Sequence, residues 1–199
     1  MNKPTQKIIG VILSGGAGER LGGVDKGLQH YQGKPLIEHV IERLKGQVDE
    51  LIICANRNIE TYEQYGYSVV MDAEPENYQG PLAGITSTIQ HITKQGHSSN
   101  NHCLLISSCD SPNLPFDHAI KLIQSISESE HSSSVVNDGE RIQNLHCVIK
   151  QQAWPLLEGF YTRGERAMYK WHHKNGSVEV DFSNQTDHFS NINTIQMLK

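Results

Sequence analysis

Apolar residues are grouped into blocks along this chain, and the spacing inside the blocks changes from one to the next. Ile8-Ile9-Gly10-Val11-Ile12-Leu13 is a continuous apolar run closed by glycines, which predicts a strand buried on both faces. Residues 50–55, 67–71 and 102–106 predict three more. Stripes at helical spacing lie between these runs. Leu36, Ile37, Val40, Ile41 and Leu44 share one side of a helix over residues 36–46, and Pro35 stands just ahead, where proline is tolerated. Leu82, Ile85, Ile89 and Ile92 predict a helix entered through Gly80-Pro81, and Phe116, Ala119, Ile120, Ile123 and Ile126 predict one after Pro115. Strand, helix, strand, strand, helix, strand, helix is the order of parallel βαβ units. It implies an α/β fold, a three-layer αβα sandwich on a mostly parallel, Rossmann-like sheet. Beyond these, residues 134–137 and 145–150 read as strands joined by a turn at Asn137-Asp138-Gly139. Residues 152–173 read as helix broken at Gly164, and residues 178–182 as a short strand. No linker composition divides the chain, so residues 1–199 are expected to form a single domain.

Composition narrows the possible functions. With 199 residues the chain can bury a core without disulfides or a structural metal. A net charge of −5 argues against a nucleic-acid or acidic-membrane surface. The run at 8–13 is too short for a signal or a membrane span, and no Cys-x-x-Cys pair occurs, so a reduced, cytoplasmic protein is expected. Eleven histidines form no His-x-His or His-x-x-x-His pair, which leaves them as surface or packing residues. Cys109 has no obvious base near it in sequence and reads as a packed thiol.

Glycine placement is more informative. Seven of the 17 glycines lie between residues 10 and 27, six of them after the first strand. In an open parallel sheet, ligands bind at the carboxyl ends of strands, and glycines there let backbone N–H groups approach phosphate oxygens. Arg20 and Lys26 add positive charge to the same loop. A merely flexible loop would explain neither its place after a buried strand nor those two cations. The loop is not a G-x-G-x-x-G fingerprint, because Leu21 stands where glycine is needed. Nor is Gly33-Lys34-Pro35 a Walker A end, since Ser or Thr is required after the lysine.

Two further motifs converge on the same end of the sheet. Asp110 follows the strand at 102–106 and would lie beside the glycine-rich loop. One carboxylate plus substrate phosphates is a typical Mg²⁺ environment, although an aspartate shortly before Pro112 is also a common turn residue. Gly80-Pro81-Leu82-Ala83-Gly84, after Asp72, opens a helix with two glycines about one turn apart. That allows close approach to a ligand, and a plain helix start explains it equally well.

Taken in order, these motifs resemble one family. They are Leu13-Ser14-Gly15-Gly16 with Arg20, Gly22-Gly23-Val24-Asp25-Lys26, Gly33-Lys34-Pro35-Leu36-Ile37, Ala55-Asn56-Arg57, Gly80 to Gly84, Cys109-Asp110-Ser111-Pro112 and Asn191-Ile192-Asn193-Thr194. Over residues 8–194 the chain is similar to the MobA family of molybdenum cofactor guanylyltransferases, with the nucleotide-diphospho-sugar transferase type of fold. The resemblance implies transfer of GMP from GTP to molybdopterin with release of pyrophosphate, in the presence of Mg²⁺. A nucleotide-binding half would cover about residues 1–110, and a molybdopterin-side half about residues 111–199.

The resemblance also implies roles for residues. Leu13, Ser14, Gly15, Gly16 and Lys26 would hold the nucleotide, Arg20 and Gly23 would belong to the triphosphate loop, and Asp72 would hold the nucleoside. Gly80 and Gly84 would line the site, Asp110 would bind the metal, and Asn191 and Asn193 would face the reacting groups or the pterin. Arg20, Lys26 and Asp110 would carry catalysis. Molybdenum-insertion proteins and recipient molybdoenzymes are the implied protein partners. Cys54 stands where the family often has a nucleotide-contacting asparagine, and Asn56, on the same strand face, is a second candidate contact. Ser14, Asn144 and Ile195 stand where alanine, proline and proline are usual. CTP or a sugar 1-phosphate in place of the expected substrates, or a non-catalytic nucleotide-binding module, are the rival readings.

Overall fold

The computed structural model describes residues 6–14, 24–73, 79–96, 101–127, 129–193 and 197. Four apolar runs form the parallel half of the sheet: β1 (Lys7–Leu13), β4 (Glu50–Cys54), β5 (Ser68–Val70) and β6 (His102–Ser108). Three later strands complete it: β7 (Ser133–Asn137), β8 (Ile142–Lys150) and β9 (Val178–Asp181). The order across the seven-stranded sheet is β5-β4-β1-β6-β8-β7-β9. β8 runs antiparallel to both β6 and β7, and β9 returns parallel to β7. The sheet is mostly parallel, as expected, and both halves of the chain contribute strands to it.

Helices cover both faces. On one side α1 (Leu36–Leu44) and α4 (His118–Ser127) pack Ile37, Val40, Leu44, Leu122 and Ile126 against Ile12, Ile53 and Leu105. On the other, α3 (Pro81–Lys94), α5 (Trp154–Thr162) and α6 (Met168–Asn175) pack Leu82, Ile85, Leu157 and Trp171 against Val11, Ile52 and Ile106. Alternate residues of the central strands thus serve opposite layers, which is why these strands read as continuous apolar runs. All four cysteines are buried and free. Among the described residues, no helix is long and apolar enough to cross a membrane.

Two local expectations change. In α4 the helix begins at His118, and its buried face is His118, Ala119, Leu122 and Ile126. Phe116 and Ile120, expected in the stripe, are exposed, and the Arg43 guanidinium lies 4.3 Å from the centre of the Phe116 ring. A histidine can occupy the apolar face here because its ring nitrogens meet the Pro115 carbonyl and the Ser107 hydroxyl. The second change is the presence of short elements that apolar periodicity did not reveal. These are the hairpin β2 (His30–Tyr31) and β3 (Lys34–Pro35), and α2 (Ile59–Glu63) between β4 and β5.

Candidate active site

The carboxyl ends of β4, β1 and β6 stand side by side, with Leu13 in register with Cys54 on one side and Ser108 on the other. The backbone continues the alignment past the strands. Ser14 N–H donates to the Cys54 carbonyl at 2.8 Å, and Cys109 N–H to the Leu13 carbonyl at 3.1 Å. Chain segments leaving these three strands therefore reach the same end of the sheet.

One cluster forms around Lys26. Its ammonium donates to Asp110 Oδ2 at 2.7 Å and to Asn193 Oδ1 at 2.8 Å, joining residues from three distant parts of the sequence. The lysine and aspartate side chains are only 19% and 15% exposed, so this ion pair is sheltered rather than a solvated surface contact. The other carboxylate oxygen, Asp110 Oδ1, is buried with no hydrogen-bond partner among the described residues. The C-terminal segment is pinned over this turn by two bonds. Ile192 N–H donates to the Asp110 carbonyl at 2.8 Å, and Ser111 Oγ donates to Asn191 Oδ1 at 2.8 Å. His146 stands behind Ser111, Nε2 to Oγ at 3.0 Å. Burial, then the neighbouring His118, push its pKa down to about 3, so the ring is a neutral prop.

A second cluster forms around Asp72, just past β5. Asn56 grips it twice: its Nδ2 donates to Asp72 Oδ2 at 2.8 Å, and its Oδ1 accepts from Asp72 N–H at 2.9 Å. Cys54 Sγ lies 3.6 Å from Asp72 Oδ1. Burial, reinforced by the Asp72 charge, holds this thiol protonated, so it donates and is not a nucleophile. Cys54 is 3% exposed and faces Asp72; its sulfur is part of the floor beneath the carboxylate. Gly84 is the close-approach point of α3. A Cβ there would come within 2.5 Å of Cys54 Sγ and 3.1 Å of Asp72 Oδ1. Gly80 takes a positive φ of 75° immediately before Pro81 and turns the chain into α3.

The structure thus joins Lys26, Asp110 and Asn193 in one cluster, and Cys54, Asn56, Asp72 and Gly84 in another, while Asn191 braces the first from behind. A Cβ on Gly84 would lie 3.5 Å from the Leu13 side chain, so the second cluster borders the end of β1. Gly15, Gly16, Arg20 and Gly23 lie outside the described residues. Reading the motifs alone missed Ser111 and His146, which brace the C-terminal segment, and Tyr62 and Asn58, which hold Asp25. Only His146, polar inside the apolar run 145–149, carries a local signal; Ser111, Asn58 and Tyr62 lie in polar stretches where nothing marks them.

A family model described as a MobA-like NTP transferase domain matches residues 10–176. This chain belongs to that family. Relatives support the assignment along nearly the full length. A molybdenum cofactor guanylyltransferase of Mannheimia succiniciproducens is 39% identical over 191 residues, covering 96% of each chain. One from Shewanella sediminis is 38% identical over 188 residues, covering 94% of this chain and 92% of the relative. Among solved structures, molybdopterin-guanine dinucleotide biosynthesis protein A from Archaeoglobus fulgidus superposes with a TM-score of 0.74 at 18% identity, covering 96% and 94% of the two chains. A 4-diphosphocytidyl-2C-methyl-D-erythritol synthase superposes with a TM-score of 0.72 at 11% identity, covering 98% and 95%. At such identities the superpositions speak for the fold alone.

Membership in the MobA-like family makes the chain a nucleotidyltransferase, an enzyme class that generally needs a divalent metal. The residues present fit one. Among the described residues there is no group of three or more His, Cys, Asp or Glu that could cage an ion. Asp110 nevertheless keeps one buried oxygen unpaired beside a cationic side chain. A single protein oxygen, completed by phosphate oxygens and water, suits a small hard cation better than it suits zinc.

Proposed function

We propose that this chain transfers GMP from GTP to molybdopterin, forming molybdopterin guanine dinucleotide and pyrophosphate. The observation that carries the reading is the convergence of Lys26, Asp110 and Asn193 at the carboxyl ends of β1 and β6. The names of relatives 38–39% identical over nearly the whole chain supply the base and the acceptor.

The chemistry asks little of a general base. The attacking group is the terminal phosphate of molybdopterin, already ionised at neutral pH. Its oxygen forms a bond to the α-phosphorus of GTP, and the bond from that phosphorus to the bridging oxygen breaks. Pyrophosphate carries away the electron pair. Positioning and charge neutralisation then do the catalysis. Lys26 offers a sheltered ammonium to the leaving pyrophosphate, and Asn193 orients it. Asp72 binds the nucleoside; its two bonds with Asn56 support that role. Gly80 and Gly84 shape the wall of the nucleotide site. Arg20 and Gly23 are assigned to the triphosphate loop, and Gly15 and Gly16 to nucleotide binding. Asn191 keeps the C-terminal segment, and with it the pterin side, against the reacting groups. Asp110 would hold Mg²⁺, which when bound neutralises charge on the phosphate oxygens. Cys109 takes no covalent part, because burial and the Asp110 charge push its thiol up to about 12.

A thermal-shift panel with Mg²⁺ and GTP, CTP or UTP at equal concentration tests the reading. At a hundred times its Kd, GTP should stabilise the protein by about 2.7 kcal/mol, and the pyrimidine nucleotides by much less. Lys26→Ala should lose most of that shift. Equal or larger stabilisation by CTP would overturn the assignment of the base.

A further inference from the structure

Asp25 sits next to Lys26 but faces the opposite way, into the protein. Its side chain is 5% exposed. Three hydrogen-bond donors and a guanidinium converge on it from the turn that follows it and from the β4–α2 segment. Tyr62 OH on α2 donates to Oδ1 at 2.6 Å, and Gly27 N–H to the same oxygen at 3.2 Å. Asn58 Nδ2 donates to Oδ2 at 3.0 Å, and the Arg57 guanidinium lies 3.9 Å from that oxygen. The chain runs one link further. Tyr62 gives its proton to Asp25, so it accepts from Ser14 Oγ, 2.6 Å away at the end of β1. Burial, the neighbouring Cys109 and Asp25 push the tyrosine hydroxyl far above its ordinary pKa, so the phenol stays a donor. Gly27 is the close contact that lets the turn fit. A Cβ there would overlap the Ser14 hydroxyl and lie 2.5 Å from the Tyr62 oxygen.

A buried carboxylate is tolerated when its oxygens are satisfied, and here both are. It cannot itself hold a polyphosphate, because it is negative and already engaged on both oxygens. What it does is set the backbone of the turn at residues 26–28. Its Oδ1 caps that turn through Gly27 N–H, and the Gln29 side chain ties down its carbonyl at 3.1 Å. Lys26 projects from this anchored turn toward Asp110 and Asn193.

We propose that Asp25 is a positioning residue for Lys26, with Tyr62 and Asn58 of the β4–α2 segment as the clamp that holds it. The proposal rests on the reading of Lys26 as a phosphate-binding cation. It adds that α2 governs GTP affinity through Asp25. The role is one of placement: no proton moves and no bond to substrate is made by Asp25.

The test is a double-mutant cycle in the full chain, read as GTP affinity by calorimetry and as kcat and KM separately. Tyr62→Phe keeps the ring and deletes the bond to Asp25 together with the one accepted from Ser14. It should weaken GTP binding about tenfold in the native background and less than twofold in Lys26→Ala. Asn58→Gly keeps the left-handed backbone of residue 58 (φ 52°) and should act in the same direction with smaller size. It carries the test if Tyr62→Phe does not fold. Equal losses in both backgrounds would mean a merely structural role and would overturn the proposal, as would unchanged affinity in both clamp variants. Unchanged affinity in Lys26→Ala itself would overturn the reading of Lys26, and the proposal with it.

Discussion

Gly84→Ala puts the packing under the Asp72 cluster to a quantitative test. In the middle of a helix this change ordinarily stabilises by about 0.5–1 kcal/mol, because alanine has the higher helix propensity. Here the added methyl would sit 2.5 Å from Cys54 Sγ and 3.1 Å from Asp72 Oδ1. Comfortable contact begins near 3.5 Å, so the first overlap is on the order of 1 Å. The sulfur has nowhere to swing, since Cys54 is buried between β4 and α3. Overpacking of this kind costs about 1–3 kcal/mol, and a deep overlap belongs at the upper end. The net expectation is a loss of about 2 kcal/mol, or about 4–8 °C in Tm for a chain of this size. Urea unfolding measures it, and GTP titration should show weaker binding because α3 or Asp72 must shift. The cycle with Cys54→Ala locates the cause. Once the sulfur is gone, Gly84→Ala should cost under about 1 kcal/mol. A neutral or stabilising Gly84→Ala, or the same cost in both backgrounds, would refute the packing argument.

Three more outcomes follow from the geometry. Asp110→Ala should leave the unfolding midpoint near that of the native chain while nearly abolishing turnover; native-like activity with Mg²⁺ would remove the metal assignment. Asn56→Ala deletes both bonds that Asn56 makes to Asp72, so GTP affinity measured by calorimetry should fall about tenfold, and unchanged affinity would deny the nucleoside role. Stability should fall as the pH drops below 6.5. Burial holds His118 down to about 4 and His146 to about 3, so below 6.5 the unfolded chain binds protons that the folded one refuses. At pH 5 each histidine should cost about 2 kcal/mol relative to pH 7.5, and a flat urea-unfolding profile between these values would contradict it.

How much of this was legible depended on how far apart the partners lie. β1, β4 and β6 were read well because each is buried on both faces, and an apolar run is what such burial requires. α1 was read residue by residue, since its buried set is the expected stripe. α4 was read in part: Ala119, Ile123 and Ile126 pack inward as expected, but Phe116 and Ile120 are exposed, and His118 fills an apolar position through local hydrogen bonds. β2, β3 and α2 are too short to write a period, and contacts made across the fold determine them. In the site, motif order pointed to Lys26, Asp110 and Asn193, which meet directly. Periodicity and motif could not reveal Tyr62 beneath Asp25, because that bond spans 37 positions and nothing local to either residue announces it. Cys54 was read as a contact to the nucleotide. In the structure its sulfur lies 3.6 Å from Asp72 Oδ1, and α3 approaches it closely at Gly84.

The most direct test of the whole account is pyrophosphate release by the native chain supplied with Mg²⁺, GTP and molybdopterin together. Release should require both substrates, with guanine dinucleotide formed in step with pyrophosphate and far less product when CTP replaces GTP. Pyrophosphate released equally well without molybdopterin, a preference for CTP, or GTP bound with no turnover would contradict it.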